Sequence, residues 1–169
     1  MTGSHHLYNY LPTKHEKWLT MIKQEIIDSG LIVDILNAKT MEDVFRLLQG
    51  CSFLGSFLAY QYTIDMNYSP YINFSENDFV KAGIGAIRGI KKCFLCYGNK
   101  CEDAIWYVKE HFNDLQKRYG YTSFHPLLGH EPTLIDLQNC FCETDKYLRA
   151  KMPELRIGNV RIKQKYMPH

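Results

Sequence analysis

Hydrophobic residues recur at helical spacing along most of the chain. Trp18, Ile22 and Ile26 lie four positions apart within 14–29, and Gly30 stands where that helix should end. Thr40 followed by Asp43 has the form of a capping box, leading into Val44, Leu47 and Leu48 with Gly50 as the stop. A third helix is expected from near Gly55 through FLAYQYTIDM. NYSPYINFS, with Pro70, reads as a loop, and Ser75 with Asp78 as the opening of a short helix. The glycine-rich KAGIGAIRGIKK (81–92) then leads into a helix through Cys96. Trp106, Val108, Phe112 and Leu115 mark an amphipathic helix over 102–118, ending before Gly120. YTSFHPLLGHEP is a loop, 133–150 a long helix, and the tail from Arg156 extended. No segment alternates as a strand ladder does, so the predicted fold class is all-α. SFLGSFLAYQ (52–61) and AGIGAIRGIK (82–91) also echo each other, as either an internal repeat or two ordinary helix starts.

Composition narrows the class. A length of 169 residues with 46% apolar and 22% charged side chains suits one folded domain, 1–169. No apolar run approaches the ~18 residues of a membrane span, and no signal peptide is evident. Six irregularly placed cysteines favour a reducing compartment, so a cytoplasmic location is expected. Cys93-x-x-Cys96-x4-Cys101 and Cys140-x-Cys142 raise a metal reading, but Cys93 and Cys140 also suit apolar helix faces. No metal and no cofactor are expected. His125 and His130 are loop histidines, read either as proton shuttles or as plain loop residues.

Charge changes the picture more. The formal net charge is only +2, yet Phe79–Cys101 holds Lys81, Arg88, Lys91, Lys92 and Lys100 with no acid. From Lys146 to the end, seven basic residues face one acid, Glu154. Arg161, Lys163 and Lys165 alternate and would share one face of an extended tail. Such clusters are either phosphate-binding surfaces or solvated faces.

Val80, Gly83, Ile84, Gly85 and Gly89 fit, in order, the spacing of a helix–hairpin–helix element, with the hairpin at about 80–92. In that element glycine backbone N–H groups approach a phosphate and the next helix offers its positive end. Lys91 and Lys92 follow within two turns. With FLAYQYTID (57–65) and LIDLQNCF (134–141), the order of features resembles the helix–hairpin–helix DNA glycosylase superfamily. The resemblance implies that Gln61 approaches the hole left by an extruded base and that Asp136 is the catalytic aspartate. Ile87 stands where bifunctional members hold a Schiff-base lysine, which implies a monofunctional enzyme.

Asp136 by itself is open to two readings: an ordinary helix cap, or a carboxylate beside the sugar of a flipped nucleotide. Asp136, Asn139 and Glu143 share one side of the 133–150 helix, continued by Lys146 and Tyr147. This stripe is either a catalytic face or a solvent face with a Glu143–Tyr147 or Glu143–Lys146 contact. Tyr60, Tyr62, Tyr68 and Tyr71 cluster around Gln61 as candidates for a base pocket, with Asp65 and Asn67 facing the same cleft. Packing is the alternative reading for the tyrosines.

A closer resemblance covers almost the whole chain. The segments from Phe53 through Phe94, LIDLQNCFCETDKYLR and GNVRIKQKYMP are similar to the helical domain of 5-hydroxymethyldeoxyuridine DNA kinases and to α-glutamyl/putrescinyl thymine pyrophosphorylases. These families act on hypermodified thymine in phage DNA, or against it in bacteria. Two departures stand out: Ile84 replaces the proline of the usual Gly-Pro-Gly, and the frequent N-terminal extension is missing. No G-x-x-x-x-G-K-[ST] phosphate loop occurs, which excludes a conventional P-loop kinase within these residues. The resemblance implies DNA with modified bases as partner, and a separate kinase or N-terminal partner domain. Three activities follow as expectations: a monofunctional glycosylase first, an amino-acid:DNA transferase second, and a non-catalytic DNA-binding module third.

Overall fold

The computed structural model describes residues 4–121 and 129–155. All their regular elements are helices, with no strand among them, which places the chain in the all-α class. No helix among them is long and apolar enough to cross a membrane. The chain divides into two compact units, Met1–Phe79 and Val80–His169.

The first unit begins with a single 3-10 turn, His6–Tyr8, and helix α1, Lys14–Met21. Thr13 caps α1 reciprocally: its Oγ1 accepts from the Glu16 N–H while Glu16 accepts from the Thr13 N–H at 3.1 Å. The helix then widens into a π-helical stretch, Ile22–Asp28, closed by the Ser29 N–H donating to the Gln24 carbonyl at 3.2 Å. On that stretch Glu25 accepts from the Tyr8 hydroxyl at 2.6 Å and from the Ser52 N–H at 2.7 Å. Gly30 (φ 82°) reverses the chain into α2, Leu31–Asn37, a helix absent from the expected set. Gly30 supports both elements because its left-handed backbone ends one helix and starts the next.

Helix α3, Met41–Gln49, opens on the expected Thr40–Asp43 capping box and buries Met41, Val44, Phe45 and Leu48 on one side. It packs on α4, Ser56–Asn67, whose buried residues are Ala59, Tyr60, Thr63, Ile64 and Asn67. Between α3 and α4, Phe53 takes a left-handed backbone (φ 64°), unusual for a bulky residue. Its ring is held by Trp18 at 5.5 Å and Tyr8 at 5.5 Å, contacts that offset the strain. No helix opens at Ser75. The Asp78 N–H bonds the Ser75 carbonyl and the Asn77 N–H bonds Ser75 Oγ, giving an isolated turn, and 71–83 holds no helix. The first helix of the expected helix–hairpin–helix is therefore missing.

The second unit is built on two helices, α5 (Ile84–Cys93) and α8 (Leu134–Lys151), which make the most extensive helix pair in the chain. Helix α5 stops at Cys93 rather than Cys96, because Phe94 is extended. The expected 102–118 helix is interrupted at His111, giving α6 (Glu102–Glu110) and α7 (Phe112–Arg118). Thr133 and Asp136 form a capping box at the head of α8. Ile90, Ile105 and Leu134 are fully buried here, each contributing about 1.5–3 kcal/mol. Glu102 fastens the approach to α5, accepting from the Ala82 N–H at 3.0 Å and pairing with Lys81 at 2.9 Å. Burial pushes the Glu102 carboxyl up, but hydrogen bonds from Lys81 and Ala82 outweigh it and leave it below its usual value.

Gly85 and Gly89 lie within α5, not in a hairpin, and face α8. A Cβ on Gly85 would lie 2.3 Å from Cys142 Sγ, and one on Gly89 would lie 2.0 Å from the Phe141 carbonyl oxygen. The two glycines thus set the distance between helices. Ordinarily, Gly→Ala inside a helix gains about 1 kcal/mol. Gly89→Ala should instead destabilise by about 2–3 kcal/mol, since a backbone carbonyl cannot turn aside. Gly85→Ala should cost much less, because Cys142 Sγ can rotate away. Urea denaturation of the two variants checks the order.

Glu102 generates a second expectation. Its folded pKa lies below the unfolded value of about 4.5, so its stabilisation is full above that pH and is lost as pH falls through the folded pKa. The stability gap between wild type and Glu102→Gln should therefore shrink as pH is lowered from about 6 to about 3. Urea melts at stepped pH measure it.

Candidate functional site

The approach of α5 to α8 brings together four charged side chains. Arg88 and Lys92 lie four residues apart on one face of α5, and Asp145 and Arg149 four apart on α8. Asp145 is completely buried. Lys92 Nζ donates to its Oδ1 at 2.7 Å, while Arg149 Nε and Arg88 Nε lie 3.2 Å and 3.5 Å from its Oδ2. One carboxylate thus stands among three cations.

Their exposure separates them. The Lys92 side chain is 1% exposed, but those of Arg88 and Arg149 keep 21% and 14%. Lys92 neutralises Asp145 internally, and the two guanidiniums reach from the pair to the surface. Neither arginine Nε makes a directed hydrogen bond, so both are held near Asp145 by charge alone. The cluster carries a surplus of two positive charges beside exposed Lys91. A guanidinium pair of this kind suits bidentate contact with phosphate oxygens.

The expected site residues fare differently. The Lys92 side chain is closed off from solvent and paired with Asp145. Gly83 caps α5 with an extended backbone, while Gly85 and Gly89 are covered by α8. Asp136 accepts from the Thr133 N–H at 2.9 Å and the Thr133 hydroxyl at 3.0 Å through Oδ2, so the cap reading describes its contacts. Asn139 and Glu143 are exposed, and Glu143 pairs with exposed Lys146. Asn139, Glu143, Lys146 and Tyr147 thus lie on a solvent face of α8, and Asp136 is half-buried at its head.

In the first unit, Tyr60 is buried in an aromatic triangle with Phe45 and Phe79 at 6.5 Å and 5.8 Å. Asn67 clamps the following loop, donating to the Phe74 carbonyl at 2.9 Å and accepting from its N–H at 2.7 Å. Tyr68 and Asp65 are exposed, and Gln61 is half-buried on α4. Asp65 edges an apolar cavity of about 220 Å³ with Ile22, Ile26 and Tyr62, but Tyr60, Asn67 and Tyr68 do not line it. These residues therefore do not form one pocket. Arg161, Lys163, Lys165 and His125 lie outside the described residues. His130 is exposed. Among the described residues, no three His, Cys, Asp or Glu side chains gather as metal ligands.

Residues 2–157 match the family model described as 5-hmdU DNA kinase, helical domain. The chain belongs to this family. No curated protein and no solved structure matches it. Membership ties this helical domain to DNA carrying a modified pyrimidine, and it makes the surplus positive charge on α5 and α8 the feature of first interest. The sequence pattern passes over Arg88, Asp145 and Arg149 as site residues. The paired i, i+4 spacings were the available signal, but nothing in sequence shows that the two pairs meet.

Asp145→Asn removes the only anion from three clustered cations. It should destabilise the fold by about 3–5 kcal/mol, far more than an exposed charge change such as Glu143→Gln. Urea unfolding in low and high salt checks this, and salt should partly restore the variant by screening the repulsion.

Proposed function

We propose that this chain is the DNA-binding helical module of a 5-hydroxymethyldeoxyuridine DNA kinase system. It holds the phosphate backbone while a separate kinase part acts on the modified base. The observation that carries this reading is the surplus of two positive charges around buried Asp145, with the Arg88 and Arg149 guanidiniums directed to the surface. Lys91, three residues after Arg88 on α5, is also exposed. A phosphodiester there would balance charge that the protein leaves uncompensated, giving affinity without base readout.

The engagement of Asp136 in the cap of α8 weighs against hydrolysis of the N-glycosidic bond as the main activity. The solvent-facing Glu143–Lys146 pair weighs against a general base there.

Fluorescence anisotropy on a duplex containing 5-hydroxymethyluracil, over a range of salt, tests the reading. Arg88→Gln and Arg149→Gln should each lower affinity and reduce the salt slope by about 1. Asp136→Asn should leave binding unchanged, and strands should remain intact to alkali. A salt slope unmoved by both arginine variants would overturn the reading. Alkali-labile strands that vanish with Asp136→Asn would replace it with a glycosylase.

A further inference from the structure

The second unit holds a cavity of about 530 Å³, within the range of small-molecule sites. Phe94, Tyr97, Tyr107 and Tyr119 are its aromatic lining, joined by Leu115 and by Arg118 as a cation. It lies beyond every residue so far considered for a base pocket. We infer that this cavity binds an unstacked pyrimidine base of DNA, ring against ring. The inference rests on the DNA-binding reading above and assigns to it the place where a base is held.

Three features support this occupant. First, the walls are built before any ligand arrives. Asp103 Oδ2 accepts from the Asn99 N–H at 2.9 Å and the Lys100 N–H at 3.2 Å, fixing the loop that carries Phe94 and Tyr97 against α6. Tyr107 stacks on His111 with ring centroids 4.4 Å apart, so its ring is held from one side. A preorganised aromatic surface loses little entropy on stacking. Second, Tyr107 and Tyr119 remain substantially exposed, as a stacking platform requires. Third, Cys93 and Phe94, which line the cavity, directly follow Lys92 in the chain at the end of α5. The cation and aromatic rings favour a nucleotide over an aliphatic ligand.

The test uses two end-labelled single strands, so that no base pair has to open. One is made entirely of abasic residues, and the other carries a single 5-hydroxymethyluracil at its centre. Wild type should bind the base-containing strand about tenfold more tightly, the worth of one stacked base. Tyr119→Ala, at an exposed position, should abolish that preference and leave affinity for the abasic strand unchanged. Tyr119→Phe should retain it, since stacking needs the ring and not the hydroxyl. Equal binding of the two strands by wild type, or a preference that survives Tyr119→Ala, would overturn the inference. Arg149→Gln on the abasic strand reads the backbone contact separately: lost affinity there with no base preference sinks the cavity and leaves the DNA-binding reading standing. No effect of Arg149→Gln and Arg88→Gln on either strand sinks the DNA-binding reading itself.

Discussion

The second unit depends on how closely α5 approaches α8. At Gly89 there is no room for a single carbon between the helices, since the Phe141 carbonyl occupies the space a Cβ would take. Gly85, one turn earlier, lies over Cys142, where the close atom is the side-chain sulfur. Glycine costs helix stability, and here close packing along two buried faces offsets that cost. The separation then dictates which side chains meet: Arg88 and Lys92 come down on Asp145 because the helices touch where the glycines are. A larger residue at 89 would hold the helices apart and draw Lys92 away from buried Asp145.

The charge cluster is an expensive arrangement by the standards of a core. Burying a carboxylate is unfavourable unless partners surround it, and an apolar pair of the same volume would often serve stability as well. Lys92 alone matches Asp145, so the two arginines exceed what neutralisation needs. This excess is what distinguishes the cluster from an ordinary structural ion pair. Held on the rims of two packed helices, the guanidiniums have fewer conformations to lose on meeting an anion than they would on a loop.

The first unit is held by different means. Glu25, on the widened turn, ties Tyr8 and the Ser52 backbone together, and Phe53 fills the aromatic cluster at the cost of an uncommon backbone conformation. Asn67 performs a similar local task by replacing two backbone partners of Phe74. Burial raises the Glu25 carboxyl, but the bonds from Ser52 and Tyr8 prevail and leave it lowered. Asn67, a base-pocket candidate in the sequence, here fastens the loop that follows α4.

Local signals were legible wherever the physics is local. The Thr40–Asp43 capping box, the stop at Gly30 and the start at Gly55 could all be read because each involves neighbours in the chain. The all-α class and the family resemblance, carried by long motifs, were equally available. Tertiary structure alone decided what the glycines were for, because backbone freedom toward a phosphate and close approach to a helix leave the same letters in a sequence. It also decided that Lys92 is buried while Arg88 is not, and that Asp145, 53 residues away, lies between them. Contacts over such separations depend on how two faces pack, and one strand of text does not carry that distance.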